Sequence, residues 1–175
     1  MRGLLVVPKE AIEHVKPKAR PKKGGRKKKW SKMVPTREFD IRGHGTLIRI
    51  AIHGYERPSA QDYDDANWLN ASALVAISGF RAEFSYHAYT TDLARFLDEL
   101  ATLHSTLRGT ASLHSLENDV TLEGRVDSLG ALHWTCTVQH PQGIGAKLEF
   151  GFSSDQSYLP SLIAQLTDIL DKYPA

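Results

Sequence analysis

From Phe80 to Ala88 the chain alternates without a fault: Phe80, Ala82, Phe84, Tyr86 and Ala88 carry apolar or aromatic side chains, and Arg81, Glu83, Ser85 and His87 polar ones. Successive side chains on a strand point to opposite faces, so such a run is satisfied only as a strand buried on one side. Six further runs repeat the pattern: Ile48, Ile50, Ile52; Leu69, Ala71, Ala73, Val75, Ile77; Ala111, Leu113; Val120, Leu122, Val126; Leu132, Trp134, Cys136, Val138; and Leu148, Phe150, Phe152. Gly79, the Asn118–Asp119 pair, Asp127 to Gly130 and Pro141 to Gly145 supply the connections. Hairpins this short enforce antiparallel pairing.

Two stretches switch to helical spacing. Leu93, Phe96, Leu97, Leu100, Leu103 and Leu107 recur every three or four residues, with Thr91 placed to cap, Asp92 in the first turn, and Arg108 and Gly109 at the end. Leu159, Leu162, Ile163, Leu166, Ile169 and Leu170 form a second stripe, with Pro160 in its first turn and Pro174 after its last. Each stripe needs an apolar sheet face to cover. The expected architecture is therefore α+β: one antiparallel sheet of about seven strands with two helices packed on one face. No self-similar repeat is visible in the sequence.

Charge divides the chain in two. Residues 1–32 hold twelve Lys or Arg against two Glu, a net of +10, and residues 33–175 hold ten basic and eighteen acidic side chains, a net of −8. The overall +2 is a cancellation. Pro8, Pro17, Pro21, Gly24 and Gly25 break up the basic segment, which has too little apolar surface to offset the entropy of ordering. The reading is a basic disordered leader over residues 1–33 and a single α+β domain over 34–175, long enough to bury roughly two thirds of its unfolded surface. Lys22, Lys23, Arg26, Lys27, Lys28 and Lys29 could bind nucleic acid nonspecifically by releasing counterions. A solvated tail is the plainer alternative, with Met33 a second candidate start.

Compartment and chemistry follow from what the residues allow. Cys136 is the one cysteine, so neither an intramolecular disulfide nor a thiolate zinc site can form. Leu4 to Val7 is far shorter than the roughly 7 to 15 apolar residues of a signal-peptide core, and no stretch approaches the roughly 20 that span a bilayer. A soluble cytoplasmic protein without a membrane partner is expected. The eight histidines show no HxxxH or HxH pairing, and no GxSxG elbow, P-loop or GxGxxG turn is present. An enzyme is the least supported class, and no cofactor or metal is expected.

The densest acidic run, Gln61, Asp62, Tyr63, Asp64, Asp65, Ala66, Asn67, Trp68, fails as a calcium loop. Ala66 takes the third ligand position, Asn67 the required Gly and Ala73 the closing Glu. It reads as an acidic contact loop, or as a strand connection whose Asp and Asn side chains cap local backbone. Asp155 to Leu159 joins the last strand to the last helix, with Asp155 or Ser157 as cap and Gln156 bonding loop backbone.

One profile runs through these positions: Asn67, Trp68, Leu69; Gly79, Phe80; Asp92, Leu93, Phe96, Leu100; Leu107, Gly109, Glu117; and Leu148, Phe150, Asp155, Gln156, Tyr158, Leu159. It resembles the WapI-type family of bacterial immunity proteins, seen also as uncharacterised domains, over roughly Arg49 to Leu170. The Asn-Trp-Leu start and the Asp-Gln-Ser-Tyr-Leu stretch are its sharpest pieces, the latter departing from the family pattern of Thr at Ser157. The resemblance implies a small cytosolic antitoxin that neutralises the toxic C-terminal part of a WapA-like contact-dependent protein, often a nuclease attacking tRNA. The basic leader is no part of that pattern.

The expected contact residues are Asp62, Tyr63, Asp64 and Asp65, with the outward strand face carrying Glu83 and Glu123 as the alternative. The rival class is a nucleic-acid-associated protein that binds through its basic tail. Deleting residues 1–32 separates the two. An immunity protein keeps neutralising its toxin after the deletion, whereas the rival loses retention on RNA or DNA columns.

Overall fold

The computed structural model describes residues 36–175, apart from the side chain of Asp64. The basic leader, with Lys22, Lys23, Arg26, Lys27, Lys28 and Lys29, lies outside the described residues. Eight strands and two long helices follow one another as two ββββα units. The first comprises β1 (Arg37–Gly43), β2 (Thr46–Tyr55), a four-residue helix α1 (Tyr63–Ala66), β3 (Trp68–Ile77), β4 (Phe80–Tyr89) and α2 (Thr90–Thr106). The second comprises β5 (Thr110–His114), β6 (Val120–Val126), β7 (Leu132–His140), β8 (Ala146–Ser154), a single 3-10 turn (Gln156–Tyr158) and α3 (Leu159–Lys172).

The expected α+β class is observed, but the single sheet of about seven strands is not. Two antiparallel meanders of four strands form instead, ordered β1-β2-β3-β4 and β5-β6-β7-β8. Two physical reasons account for the difference. β1 has only Phe39 and Ile41 facing inward between charged neighbours, too short an alternation to stand out. Period-two patterning also says which face of a strand is buried and nothing about which strands share a sheet. The tandem ββββα architecture has no counterpart in sequence self-similarity.

The inner faces carry the core. Ile48, Ile50, Ile52, Leu69 and Val75 of the first sheet and Val120, Leu122 and Cys136 of the second are all fully buried. The helices pack on one another, α2 also on β5 and α3 also on β1. Phe96 of α2 joins the two halves, its ring 6.5 Å from Phe39 in the first sheet and 6.3 Å from Trp134 in the second. Truncating so central an aromatic to Ala would cost about 3–5 kcal/mol.

Helix α2 starts one residue earlier than Thr91, and no side chain caps it. Asn67 takes that part from across the sheet. Its backbone carbonyl accepts from the Thr90 N–H at 3.1 Å. Its Oδ1 accepts from the buried Thr90 hydroxyl at 2.6 Å, and its Nδ2 donates to the Tyr63 carbonyl at 2.8 Å. The Asn of the Asn-Trp-Leu stretch is therefore a buried latch between α1 and α2. Of the next two residues, Leu69 is core, while Trp68 is half-buried and packs edge-on against His87 and Tyr89. Asp155 caps the 3-10 turn by accepting from the Ser157 N–H at 2.8 Å, and Gln156 donates to the Gly130 carbonyl.

Gly124 shows how tightly the second sheet is filled. A Cβ there would lie 2.6 Å from the Trp134 ring, whose indole is itself pinned between Phe96 and Phe152. Gly124→Ala should therefore lower stability by about 1–3 kcal/mol through overpacking. The check is the midpoint of urea unfolding; an unchanged midpoint would show that the indole yields freely.

Candidate functional site

The backbone groups on the outer edges of a sheet must be met by something or face water. In this domain two of the four outer edges are met by helix side chains. On β1 the Asp40 N–H donates to Gln165 Oε1 of α3 at 2.8 Å. On β5 the Ser112 N–H donates to Glu99 Oε2 of α2 at 2.6 Å. Each long helix thus closes the first strand of the other helix's sheet.

Among the described residues no helix side chain closes the last strands, β4 and β8, in this way. The bond from the Thr90 N–H to the Asn67 carbonyl makes that pair a hydrogen-bonded one. Alternation along the ladder then turns the backbone of Phe80, Ala82 and Phe84 toward β3 and that of Arg81 and Glu83 outward. By the same rule, from the Gln139 N–H to Asp119 carbonyl bond, Lys147, Glu149, Gly151 and Ser153 of β8 face outward. The turn after β1 reaches the last of these, where the His44 N–H donates to the Ser153 carbonyl at 3.3 Å. Among the described residues no hydrogen bond reaches the outward backbone of Arg81, Glu83, Lys147, Glu149 or Gly151.

An apolar groove of about 440 Å³ runs between these two edges. Phe80, Ala82 and Phe84 form one wall, Ala146 and Leu148 the other, and Val138 and His140 the floor. It continues past Phe80 to Ile77, Phe150 and Phe152. The inward face assigned to Phe80, Phe84, Leu148 and Phe150 is the observed one, but these side chains are half-buried or exposed, and Phe80 is 62% exposed. The pairs Arg81–Glu83 and Lys147–Glu149 line the rims, so each rim carries one cation and one anion.

At its other end the groove meets a polar cavity of about 310 Å³ through the shared His140, whose ring stacks on Phe84 at 5.0 Å. Here His53, His87, Tyr86, Glu117 and Asp119 converge. Asp119 retains 6% side-chain exposure, and its Oδ1 is 4.0 Å from His140 Nδ1. Burial raises its pKa and Glu117 adds to the rise, while His140 and His87 offset part of it. Burial also raises Tyr86 well above the ordinary phenol range. The Cys136 thiol, pushed up to about 12 by burial, stays protonated at neutral pH and is no nucleophile. Among the described residues no group of three or more His, Cys, Asp or Glu is placed to hold a metal ion.

The expected contact residues do not form one patch. Asp62, Tyr63, Asp64 and Asp65 sit at and within α1, beside the start of β3. Tyr63 is 62% exposed, and Asp65 pairs with Arg57. Glu83 lies on β4 near the opposite end of the first sheet and lines the groove. Glu123 projects from β6 in the second sheet, between Ser112 and Thr135. Glu83 is thus the one expected residue at the groove. The apolar residues around it gave no functional signal, because in sequence a groove wall and a buried core read alike.

The model of the immunity protein WapI-like family matches residues 39–174. The chain belongs to that family. It is a family of immunity proteins and not of enzymes, so a toxin partner takes the place of a substrate. A comparison with curated proteins gives no match. Among solved structures, Trypanosoma bruciei MRP1/MRP2 is similar at 14% identity with a TM-score of 0.43, over 79% of this chain and 84% of that one. No helix among the described residues is long and apolar enough to cross a membrane.

Asp119 makes this immunity-family domain less stable than its core allows. A carboxyl whose pKa is higher folded than unfolded binds its proton more tightly in the native state, so stability falls as pH rises from the unfolded value of about 3.9 through the raised one. Asp119→Asn should therefore raise the unfolding midpoint near pH 7. The gain should shrink as pH falls toward the unfolded value and vanish by about pH 3, where both states are protonated. Urea titrations at the two pH values test this, and equal midpoints for variant and parent at pH 7 would contradict it.

Proposed function

We propose that the domain is an antitoxin that binds a cognate contact-dependent toxin domain in the cytoplasm and blocks its working surface sterically. The family match over residues 39–174 carries this reading. The −8 net charge of residues 33–175 supports a particular partner. A nuclease must present positive charge to phosphate, so an acidic inhibitor can occupy the same surface, associate quickly and exclude nucleic acid.

In this mechanism the separated acidic residues act together through their summed field. Asp62, Asp64, Asp65, Glu83 and Glu123 steer the encounter, and the exposed ring of Tyr63 offers a local anchor. Contributions from dispersed surface carboxylates are individually small and screened by salt. Their effect should therefore fall on the association rate.

Stopped-flow mixing of the chain with the toxin domain encoded beside it provides the test. Association should slow steeply as ionic strength rises, while dissociation changes little. An association rate indifferent to salt would remove charge mimicry from the mechanism and leave steric blocking alone.

A further inference from the structure

Resting on the immunity reading, we propose that the groove between β4 and β8 is where the toxin docks, and that it takes an extended segment of the toxin as an added strand on the open β8 edge. Three features fix the kind of occupant. The outward backbone groups of Lys147, Glu149 and Gly151 are a hydrogen-bonding template that only an extended chain can match. Side chains of such a chain alternate, so every second one enters the groove and meets Phe80, Phe84 and Leu148. The others lie beside Lys147 and Glu149.

β8 is the better template of the two open edges. Along β4 the groove gives way after Phe84 to the polar cavity, where Glu117, Asp119 and Gln142 stand beside Ser85 and His87. On β8 the open run extends from Lys147 to Gly151, and Gly151 presents no side chain to an incoming strand. Charged residues on an exposed edge discourage indiscriminate pairing. Here they also specify the partner. Because Lys147 and Glu149 pair with each other, an added strand must offer a carboxylate beside Lys147 and a cation beside Glu149 to replace that contact. The occupant is a toxin strand with apolar residues at alternate positions and an acid and a base, two residues apart, on its other face.

The probe is the purified C-terminal domain of the protein encoded immediately upstream, mixed with the full chain. Hydrogen exchange should slow at the amides of Lys147, Glu149 and Gly151 on binding. Leu148 and Phe150, whose backbone already faces β7, should change little. Phe80→Asp, on a largely exposed side chain, should weaken binding at least about tenfold. The double exchange Lys147→Glu with Glu149→Lys, which keeps the net charge, should do the same, and both variants should keep the parental urea midpoint.

Outcomes separate the two readings. No binding of the parent chain overturns the immunity reading and this one with it. Tight parent binding with unchanged exchange on β8, or with full affinity in both variants, overturns the groove and leaves the immunity reading intact. Protection of the same β8 amides in the chain alone, rising with its concentration, would assign the edge to a second copy and overturn the proposal.

Discussion

Two helices have to cover the inner faces of eight strands, and they are too small to do so. At about 1.5 Å per residue, the 17 residues of α2 and the 14 of α3 give rods of roughly 25 and 21 Å. Their stripes converge on the middle of the molecule, where Phe39, Phe96 and Trp134 touch across both sheets. Beyond the helices, Phe80, Phe84, Leu148 and Phe150 keep the inward orientation their alternation dictates but are incompletely covered: Phe84, Leu148 and Phe150 pack partly against the core, and Phe80 is largely exposed. The groove is a direct result of that shortfall. A contiguous apolar opening of this kind commonly marks a surface that another molecule completes.

The doubled topology decides which sheet edges stay open. In each unit the fourth strand precedes a helix, and that helix packs against the first strand of the opposite unit. Gln165 and Glu99 then satisfy amides on β1 and β5, and among the described residues no helix side chain does the same for Arg81 and Glu83 of β4 or Lys147, Glu149 and Gly151 of β8. An edge closed by one side-chain oxygen is protected from further pairing, whereas an open edge beside an apolar groove is a template for it. The open edges and the apolar opening coincide because both arise where the helices end.

Electrostatics adds a second layer. Asp40 on the outer face of the first sheet is held by Arg42 at 2.6 Å and Arg49 at 2.7 Å, and its pKa is lowered chiefly by the Arg49 hydrogen bond. Asp119 is the opposite case, a buried carboxylate whose pKa is raised by burial and by Glu117, with the His140 imidazole at 4.0 Å offsetting only part of the rise. The first charge stabilises the domain at neutral pH and the second costs it stability. Residues that cost stability concentrate where function requires them, and Asp119 lines the cavity that adjoins the groove.

Local patterning determined a great deal here. The alternating runs placed seven strands, their inward faces and the hairpin turns, and the leucine stripes placed both long helices, because burial acts on each side chain through its position along one element. Resemblance at Asn67, Trp68 and Leu69 and at Asp155 to Leu159 pointed to the immunity family, although these residues turn out to latch and cap the scaffold. Tertiary structure alone divided the strands into two sheets, since strand grouping depends on contacts between residues far apart in sequence. It also scattered Asp62, Asp65, Glu83 and Glu123 over separate surfaces. Finally, it turned Phe80 and Phe84 from expected core into a groove wall, because whether an inward face is covered depends on how far the helices reach, a property that no single strand encodes.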